Sequence, residues 1–390
     1  VVRLGWISFL NDIASEMVYP LMPLFIVGAL RAPAVVLGFI EGFAEVVVSF
    51  LKGWSGWHSD RAQVRVRYLR WGYGFSFLAK PMLAAAYGWP LAFMAKALDR
   101  LGKGVRSPAK DALISEAVTP DIKGRAYGFD RAMDSAGAMV GVLLCAGLMA
   151  LLPGQYRKVF LITAVPGLLA LLGTTRLRDV VRPADDAAAV PTTGAASAPT
   201  APWQLLPGAY WRVFTVLLLF AAANSSDTFI LLRAHQLGMS DVLVLGVYAL
   251  YNLVYASTSY PAGILSDRLG RWGLMGVGWA IYAAAYLAFA AIGQASWMWL
   301  IYPLYGVYVG ITDGVGKAAL VDYIPGEIRG TGLGLYYMSA GFVTLCASVW
   351  AGVLWDRWGP AAPFWFGGCM ACVALLSLLV LRPRRLTAAT

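Results

Sequence analysis

Apolar residues gather along this chain in long blocks parted by short polar breaks, and within the blocks they do not alternate with polar ones. Val213–Ala223 (VFTVLLLFAAA) and Ala371–Leu381 (ACVALLSLLVL) are two such runs. A helix needs about 20 mostly apolar residues to cross a bilayer. Barrel strands instead alternate over about ten residues. Lipid satisfies no backbone polar group, so only these two solutions exist, and the unalternating runs predict helices. Cutting at charged or Pro/Gly-rich breaks gives twelve spans. The first six are about 4–30, 34–57, 68–88, 90–117, 125–151 and 156–175. The second six are about 208–236, 241–262, 273–293, 296–323, 330–355 and 360–381.

The stretch between the two sixes, RLRDVVRPADDAAAVPTTGAASAPTAPW, is rich in Ala, Pro, Thr and Asp and has no apolar period. It reads as a flexible linker. The expected organisation is a six-helix bundle over 1–176, a linker over 177–207, a second six-helix bundle over 208–382 and a tail over 383–390. Lys and Arg then set the orientation. One set of short loops and the tail holds about fifteen, among them Arg61, Arg65, Arg268 and Arg271, and the opposite loops hold about four. The positive-inside rule places both termini and the linker in the cytoplasm, in a multi-pass protein of the cytoplasmic (inner) membrane. The start reads as part of a span, not as a cleavable signal.

Composition sharpens this picture. Of 390 residues, 59% are hydrophobic and only 13% charged, about half the charge of a soluble domain. The net charge of +10 does not point to nucleic acid, because the bases are spread among loops and helices. Cys145, Cys346, Cys369 and Cys372 all sit in apolar runs and read as small apolar packing residues. The C-x-x-C at Cys369 and Cys372 leaves metal or redox work as the alternative. There are two histidines, His58 and His235, without metal spacing, and no nucleophile elbow, Walker loop or HExxH. An enzyme is not expected, nor a cofactor or metal, and no nucleotide-binding segment is present to drive transport directly.

The halves repeat. GWHSDRAQVR (Gly56–Arg65) and GILSDRLGR (Gly263–Arg271) follow the second and eighth spans. KDALISEAVTP (Lys110–Pro120) resembles KAALVDYIP (Lys317–Pro325) near the ends of the fourth and tenth. Two parallel six-helix repeats with a site between them near the midplane form a transporter layout. At these residues the chain resembles the major facilitator superfamily. Gly263, Asp267, Arg268, Gly270 and Arg271 match that family's loop signature G-x-L-A-D-R-x-G-R-K. In the first copy Gly56, Asp60, Arg61 and Arg65 fit, while Gln63 and Val64 replace the Gly-Arg pair. Arg100 and Gly104 in DRLGKGVRSP stand where the family's fourth helix has R-x-x-Q-G, and Tyr19-Pro20-Leu21-Met22-Pro23 is similar to the Pro-x-x-Pro end of its first helix. The resemblance covers the whole chain and implies twelve transmembrane helices in two pseudo-symmetric bundles around a central cavity. Asp60, Arg61, Arg65, Asp267, Arg268 and Arg271 are then expected to latch the cytoplasmic side, the aspartates accepting from helix N-termini. Simple orientation anchors are the alternative.

Ionisable residues inside spans are costly unless paired or hydrated, which makes them functional candidates. The first span places Asp12, Ser15, Glu16 and Tyr19 along one face, and the second carries Glu41 and Glu45. These carboxylates are candidates to carry a proton, bind a cationic group or neutralise internal bases. The fourth span is basic, with Lys96, Asp99, Arg100, Lys103, Arg106 and Lys110. Arg100 cannot be deprotonated, so it would tune a neighbouring carboxylate, and the matching arginine of the family is linked to proton transfer. The alternative is a salt-bridge lattice with Asp130, Arg131 and Asp134 of the fifth span. Substrate-binding candidates are Glu16, Tyr19, Arg106, Asp134, Asn224, Asp227, Asn252 and Asp313. Proton-coupling candidates are Asp12, Glu16, Glu41, Glu45 and Arg100. Lys317 can pair with Asp313, Gly306, Gly310 and Gly314 form a packing stripe, Tyr336 and Tyr337 are further cavity candidates, and Arg233 is expected to snorkel.

The expectation is a monomeric secondary active transporter, coupled to a proton or other ion, moving a small polar solute (anionic, zwitterionic or a metal chelate) by alternating access. Its partners are then that solute, the ion and membrane lipid. A drug or cation efflux antiporter and a lipid flippase are the other transport readings. The family's antiporters often carry G-x-x-x-G-P in the fifth helix, and here Gly137-Ala-Met-Val-Gly141 is followed by Val142. A membrane-embedded sensor or enzyme is the reading from another class.

Overall fold

The polar breaks become turns, and the blocks between them become twelve membrane-spanning helical segments. The structure is a computed structural model that describes residues 1–62, 64–119, 122–179, 206–324 and 328–381. Within those ranges it leaves undescribed the side chains at 53–54, 56–62, 123–124, 260, 263–264, 266–269, 313–315, 317–318, 329–331, 379 and 381. The linker residues 180–205 and the tail 383–390 lie outside the described residues.

The first span is Val2–Glu16 with a short continuation. The next five are Ala34–Ala62, Arg65–Ala84, Trp89–Glu116, Lys123–Leu151 and Tyr156–Thr174. The seventh is split into Gly208–Ala223 and Thr228–Gln236. The last five are Asp241–Leu269, Arg271–Ala291, Met298–Val321, Arg329–Trp358 and Ala362–Leu381. Among the described residues, seven stretches are long and apolar enough to cross a bilayer by themselves, and the third and fourth spans are not among them. Charge explains that pair: Lys80 on the third and Lys96, Arg100, Lys103 and Arg106 on the fourth cannot face lipid cheaply, so they face protein and cavity.

Spans one to six pack among themselves, as do spans seven to twelve. The two bundles meet chiefly where the second span runs against the eleventh and the fifth against the eighth. The face that carries Val1 and the start of the linker is here called the terminal face, and the opposite one the distal face.

Two spans are broken, at corresponding places. The α-helix of the first ends at Glu16 and continues as a 3-10 turn (Tyr19–Leu21) and a π-helical turn (Leu24–Ala29). Pro20 and Pro23 have no N–H to give and crowd the preceding turn, so the regular ladder cannot continue. The seventh breaks between Ala223 and Thr228. Freed backbone groups in a membrane must find partners. Cys145 donates its thiol to the Met17 carbonyl at 3.2 Å, and Tyr282 donates its hydroxyl to the Ala223 carbonyl at 2.8 Å. Met17 and Ala223 are about 206 residues apart, the spacing of the repeat.

The repeated turn is built in two ways. Gly270 takes φ +81 before the ninth span, in the left-handed region that favours glycine. The residue before the third span is Val64, at φ −123, so the first copy makes its turn without a left-handed residue. Asp179, expected in the linker, instead accepts the N–H groups of Arg65 (2.7 Å) and Val66 (2.8 Å). It thereby closes the N-terminus of the third span. Arg233 does not snorkel. It is buried and donates to the carbonyls of Phe289 at 3.2 Å and Ile292 at 2.9 Å, satisfying the C-terminal end of the ninth span. The glycine stripe of the tenth span does pack. A Cβ on Gly306 would sit 2.9 Å from the Tyr251 carbonyl oxygen, and Gly310 abuts Thr258.

Candidate functional site

The charges of the first and fourth spans converge on a cavity of about 160 Å³ inside the first bundle. Asp12, Glu16 and Tyr19 line it from the first span, Lys80 from the third, and Lys96, Asp99, Arg100, Lys103 and Arg106 from the fourth. Close packing of the third and fourth helices helps to shape it. Gly72 and Gly102 face each other so tightly that a Cβ on Gly72 would lie 2.7 Å from the Gly102 carbonyl oxygen. That approach brings Ser76 within reach of Arg106.

Most bases here have a fixed partner. Lys80 pairs with Asp99 at 2.9 Å and Lys96 with Glu41 at 2.8 Å. Lys110 pairs with Asp130 at 2.7 Å and Asp134 at 3.3 Å, joining the fourth span to the fifth as the lattice alternative requires. Arg106 is buried, donates to Ser76 Oγ at 2.6 Å, and lies 5.1 Å over the Tyr73 ring. Arg100 and Lys103 differ. Neither has a hydrogen bond or ion pair from its side chain to the described residues, and Arg100 Nε is buried without a partner. Glu45 is exposed and does not line the cavity.

The second bundle presents tyrosines to this region. Tyr248 of the eighth span donates to Glu16 Oε2 at 2.9 Å, across the bundle interface, and packs 5.8 Å from Tyr19. Tyr305 of the tenth span donates to Asp227 Oδ1 at 2.5 Å. Behind them Tyr251 stacks on Tyr302 with ring centroids 4.7 Å apart.

The remaining candidates scatter. Asn224 lies at the break in the seventh span with its Oδ1 buried and unpartnered. Asn252 donates back to its own helix at the Tyr248 carbonyl, 3.1 Å away. Tyr336 packs on Phe214 and Tyr337 is exposed; neither lines the cavity. The side chains of Asp60, Arg61, Asp267, Arg268, Asp313 and Lys317 lie outside the described residues. Of the six latch candidates, Arg65 and Arg271 are described, and each has a tie inside its own bundle. Arg65 pairs with Glu116 at 3.2 Å. Arg271 pairs with Asp322.

The distal end is tied shut across the two bundles. Asp356 of the eleventh span accepts the N–H groups of Ala34 and Val35, both at 2.9 Å, at the start of the second. Tyr156 of the sixth span donates to Asp241 of the eighth at 2.7 Å. Gly38 abuts Ser348 and Gly352 abuts Val35, and a Cβ on Gly42 would lie 2.6 Å from Leu345 Cα. Farther toward the terminal face the second and eleventh spans stay in contact through a side chain: a Cβ on Gly341 would lie 3.2 Å from Ser49 Oγ. Sequence reasoning missed Tyr248, Tyr305, Lys80 and Asp356. The tyrosines at 248, 251 and 255 and at 302, 305 and 308 recur at helical spacing, the one signal that marked a shared face. Lys80 was legible as an unassigned charge inside the third span.

Comparison with known proteins agrees with this architecture. The chain matches the family model of the Major Facilitator Superfamily over residues 4–315 and 229–390. It is 32% identical over 386 residues to an uncharacterized MFS-type transporter of Methanocaldococcus jannaschii, covering 97% of this chain and 94% of that protein. Among solved structures, the nucleoside transporter NupG superposes with a TM-score of 0.82 at 12% identity, over 98% of this chain and 99% of that one. A peptide transporter of the POT type, crystallised with sulfate, gives 0.76 at 15% identity, over 98% and 93%.

Proposed function

This chain belongs to the major facilitator superfamily, a family of transporters and not of enzymes, and on that premise we propose that it is a proton-coupled secondary transporter. It moves a small polar solute across the cytoplasmic membrane by alternating access, with both termini in the cytoplasm. The terminal face is then the cytoplasmic one, and the distal ties at Asp356 and Tyr156 hold the outer side shut.

One observation carries the reading: Glu16 faces the charged cavity of the first bundle and accepts a hydrogen bond from Tyr248 of the second. A bond to an ionised acceptor is roughly twice as strong as a neutral one. Protonating Glu16 therefore loosens a cross-bundle tie, while ionising it restores the tie. Arg100, Lys103 and Lys96 stand near enough to act on its charge. The same carboxylate thus links a proton, the solute space and the relative position of the bundles, which alternating access requires.

The test is Glu16→Gln, which keeps the shape and cannot titrate. Wild-type protein in vesicles loaded with a pH-sensitive dye is expected to acidify the lumen when solute enters. Glu16→Gln should carry no protons, whatever its effect on solute affinity. Undiminished proton movement in that variant removes Glu16 as the carrier.

A further inference from the structure

The charges that have no opposite partner define what the cavity takes. Around it the lysines at 80, 96 and 110 are already matched to carboxylates. Among the described residues that line it, three bases have no carboxylate pair, namely Arg100, Lys103 and Arg106. Two acids have no basic pair: Asp12, held by Asn11 at 3.2 Å, and Glu16, held by Tyr248. Arg100 and Lys103 stand three residues apart on the fourth span, so they share a face and offer adjacent donors with no fixed acceptor. Arg106 has its Ser76 acceptor and its Tyr73 ring, so the open anion subsite is the Arg100–Lys103 pair.

An anion seated there meets Glu16 and Asp12, which line the same cavity from the first span. A cation seated by those acids meets Arg100 and Lys103. Either one alone leaves one set of charges facing a like charge in a space of low dielectric, where repulsion costs most. A guest carrying both charges answers both walls at once. Size sets a floor. A space of about 150 Å³ holds a guest like benzene, so about 160 Å³ admits at least roughly six to eight non-hydrogen atoms.

We propose that the solute is a small zwitterion of amino-acid size, its anionic end on Arg100 and Lys103 and its cationic end toward Glu16 and Asp12. This rests on the transport reading above and names the solute class for the same site.

The test uses purified full-length protein and matched probes on three- and four-carbon skeletons. The zwitterions are alanine and γ-aminobutyrate, the anions propionate and butyrate, and the cations propylammonium and butylammonium. Titration calorimetry should show at least one zwitterion binding ten-fold or more tighter than both of its single-charge counterparts. Asp12→Asn should erase the preference over the matching anion, and Arg100→Gln the preference over the matching cation. Arg100→Lys, which keeps the charge, should retain the preference at reduced affinity and guards against a folding defect in Arg100→Gln. The proposal is overturned if an anion binds as tightly as its zwitterion, if the preference survives both neutral variants, or if no probe binds. Flux separates the two readings. Zwitterion binding without transport in vesicles sinks the transport reading alone, whereas transport of butyrate without zwitterion preference sinks this proposal alone.

Discussion

Asp356 and Ala34 are 322 residues apart and belong to different bundles, yet the Asp356 carboxylate accepts the Ala34 N–H at 2.9 Å and the Val35 N–H at the same distance. A carboxylate on a helix N-terminus satisfies orphan donors and meets the positive end of the helix dipole. This one ties the second span to the eleventh at the distal end. Asp356→Ala removes both acceptors and should cost about 0.5–2 kcal/mol, as loss of a cap does. Spin labels at Arg31 and Arg357 should then report a longer or broader distance distribution. An unchanged distribution would show that glycine packing alone closes this end.

Glu41 was a proton-coupling candidate in the sequence, and it is buried against Lys96 at 2.8 Å. Removing one partner of a buried pair leaves an uncompensated charge, at about 3–5 kcal/mol. Glu41→Gln should lower thermal stability by that order. The double variant Glu41→Gln with Lys96→Met should regain most of it, because no bare charge remains. A double variant as unstable as the single one would mean that Glu41 has a role apart from this pair.

The two loop arginines should differ in weight. The side chains of Arg65 and Glu116 are 7% and 8% exposed, and those of Arg271 and Asp322 are 35% and 52% exposed. Exposed ion pairs contribute about 0–1 kcal/mol, buried ones more when broken. Arg65→Gln should destabilise the purified protein clearly more than Arg271→Gln, as read by melting temperature. Equal losses would contradict the burial argument.

Arg106 tests how far position along a helix reveals a role. Its depth and charge suggested a solute anion. The structure gives it Ser76 at 2.6 Å and the face of Tyr73, contacts that a planar guanidinium makes and an ammonium does not reproduce. Arg106→Lys should therefore lower the melting temperature while reducing solute affinity less than Arg100→Lys does. A larger affinity loss in Arg106→Lys would move the anion subsite to Arg106.

Most of the twelve spans were legible as runs that only a membrane helix can bury, the charged third and fourth by the polar breaks that bound them, and the pairing of halves was legible because the charged turns repeat. The breaks in the first and seventh spans were less so. Pro20 and Pro23 marked the first, but the polar Asn224-Ser225-Ser226-Asp227 does not forbid a helix as firmly. The acids and bases of the first and fourth spans could be assigned to one cavity, since buried charge needs company. Which ones pair could not, because Lys96 reaches Glu41 across 55 positions and spacing along one helix carries no information about another. Tyr248 was hidden for a simpler reason: a tyrosine in an apolar span looks like packing until the carboxylate it donates to is known. The distal clamp was hidden because Asp356 sits at a helix end, where an aspartate reads as a solvated residue.

The central claim is that a proton gradient drives solute through this chain, and accumulation against a gradient measures it most directly. Purified protein is reconstituted in vesicles, a proton gradient is imposed, and uptake of labelled alanine, γ-aminobutyrate, propionate and butyrate is followed with and without a protonophore. At least one solute should concentrate inside above its external level, and the protonophore should return it to equality. Equal inside and outside levels for every solute, with the proton gradient intact, would contradict the account.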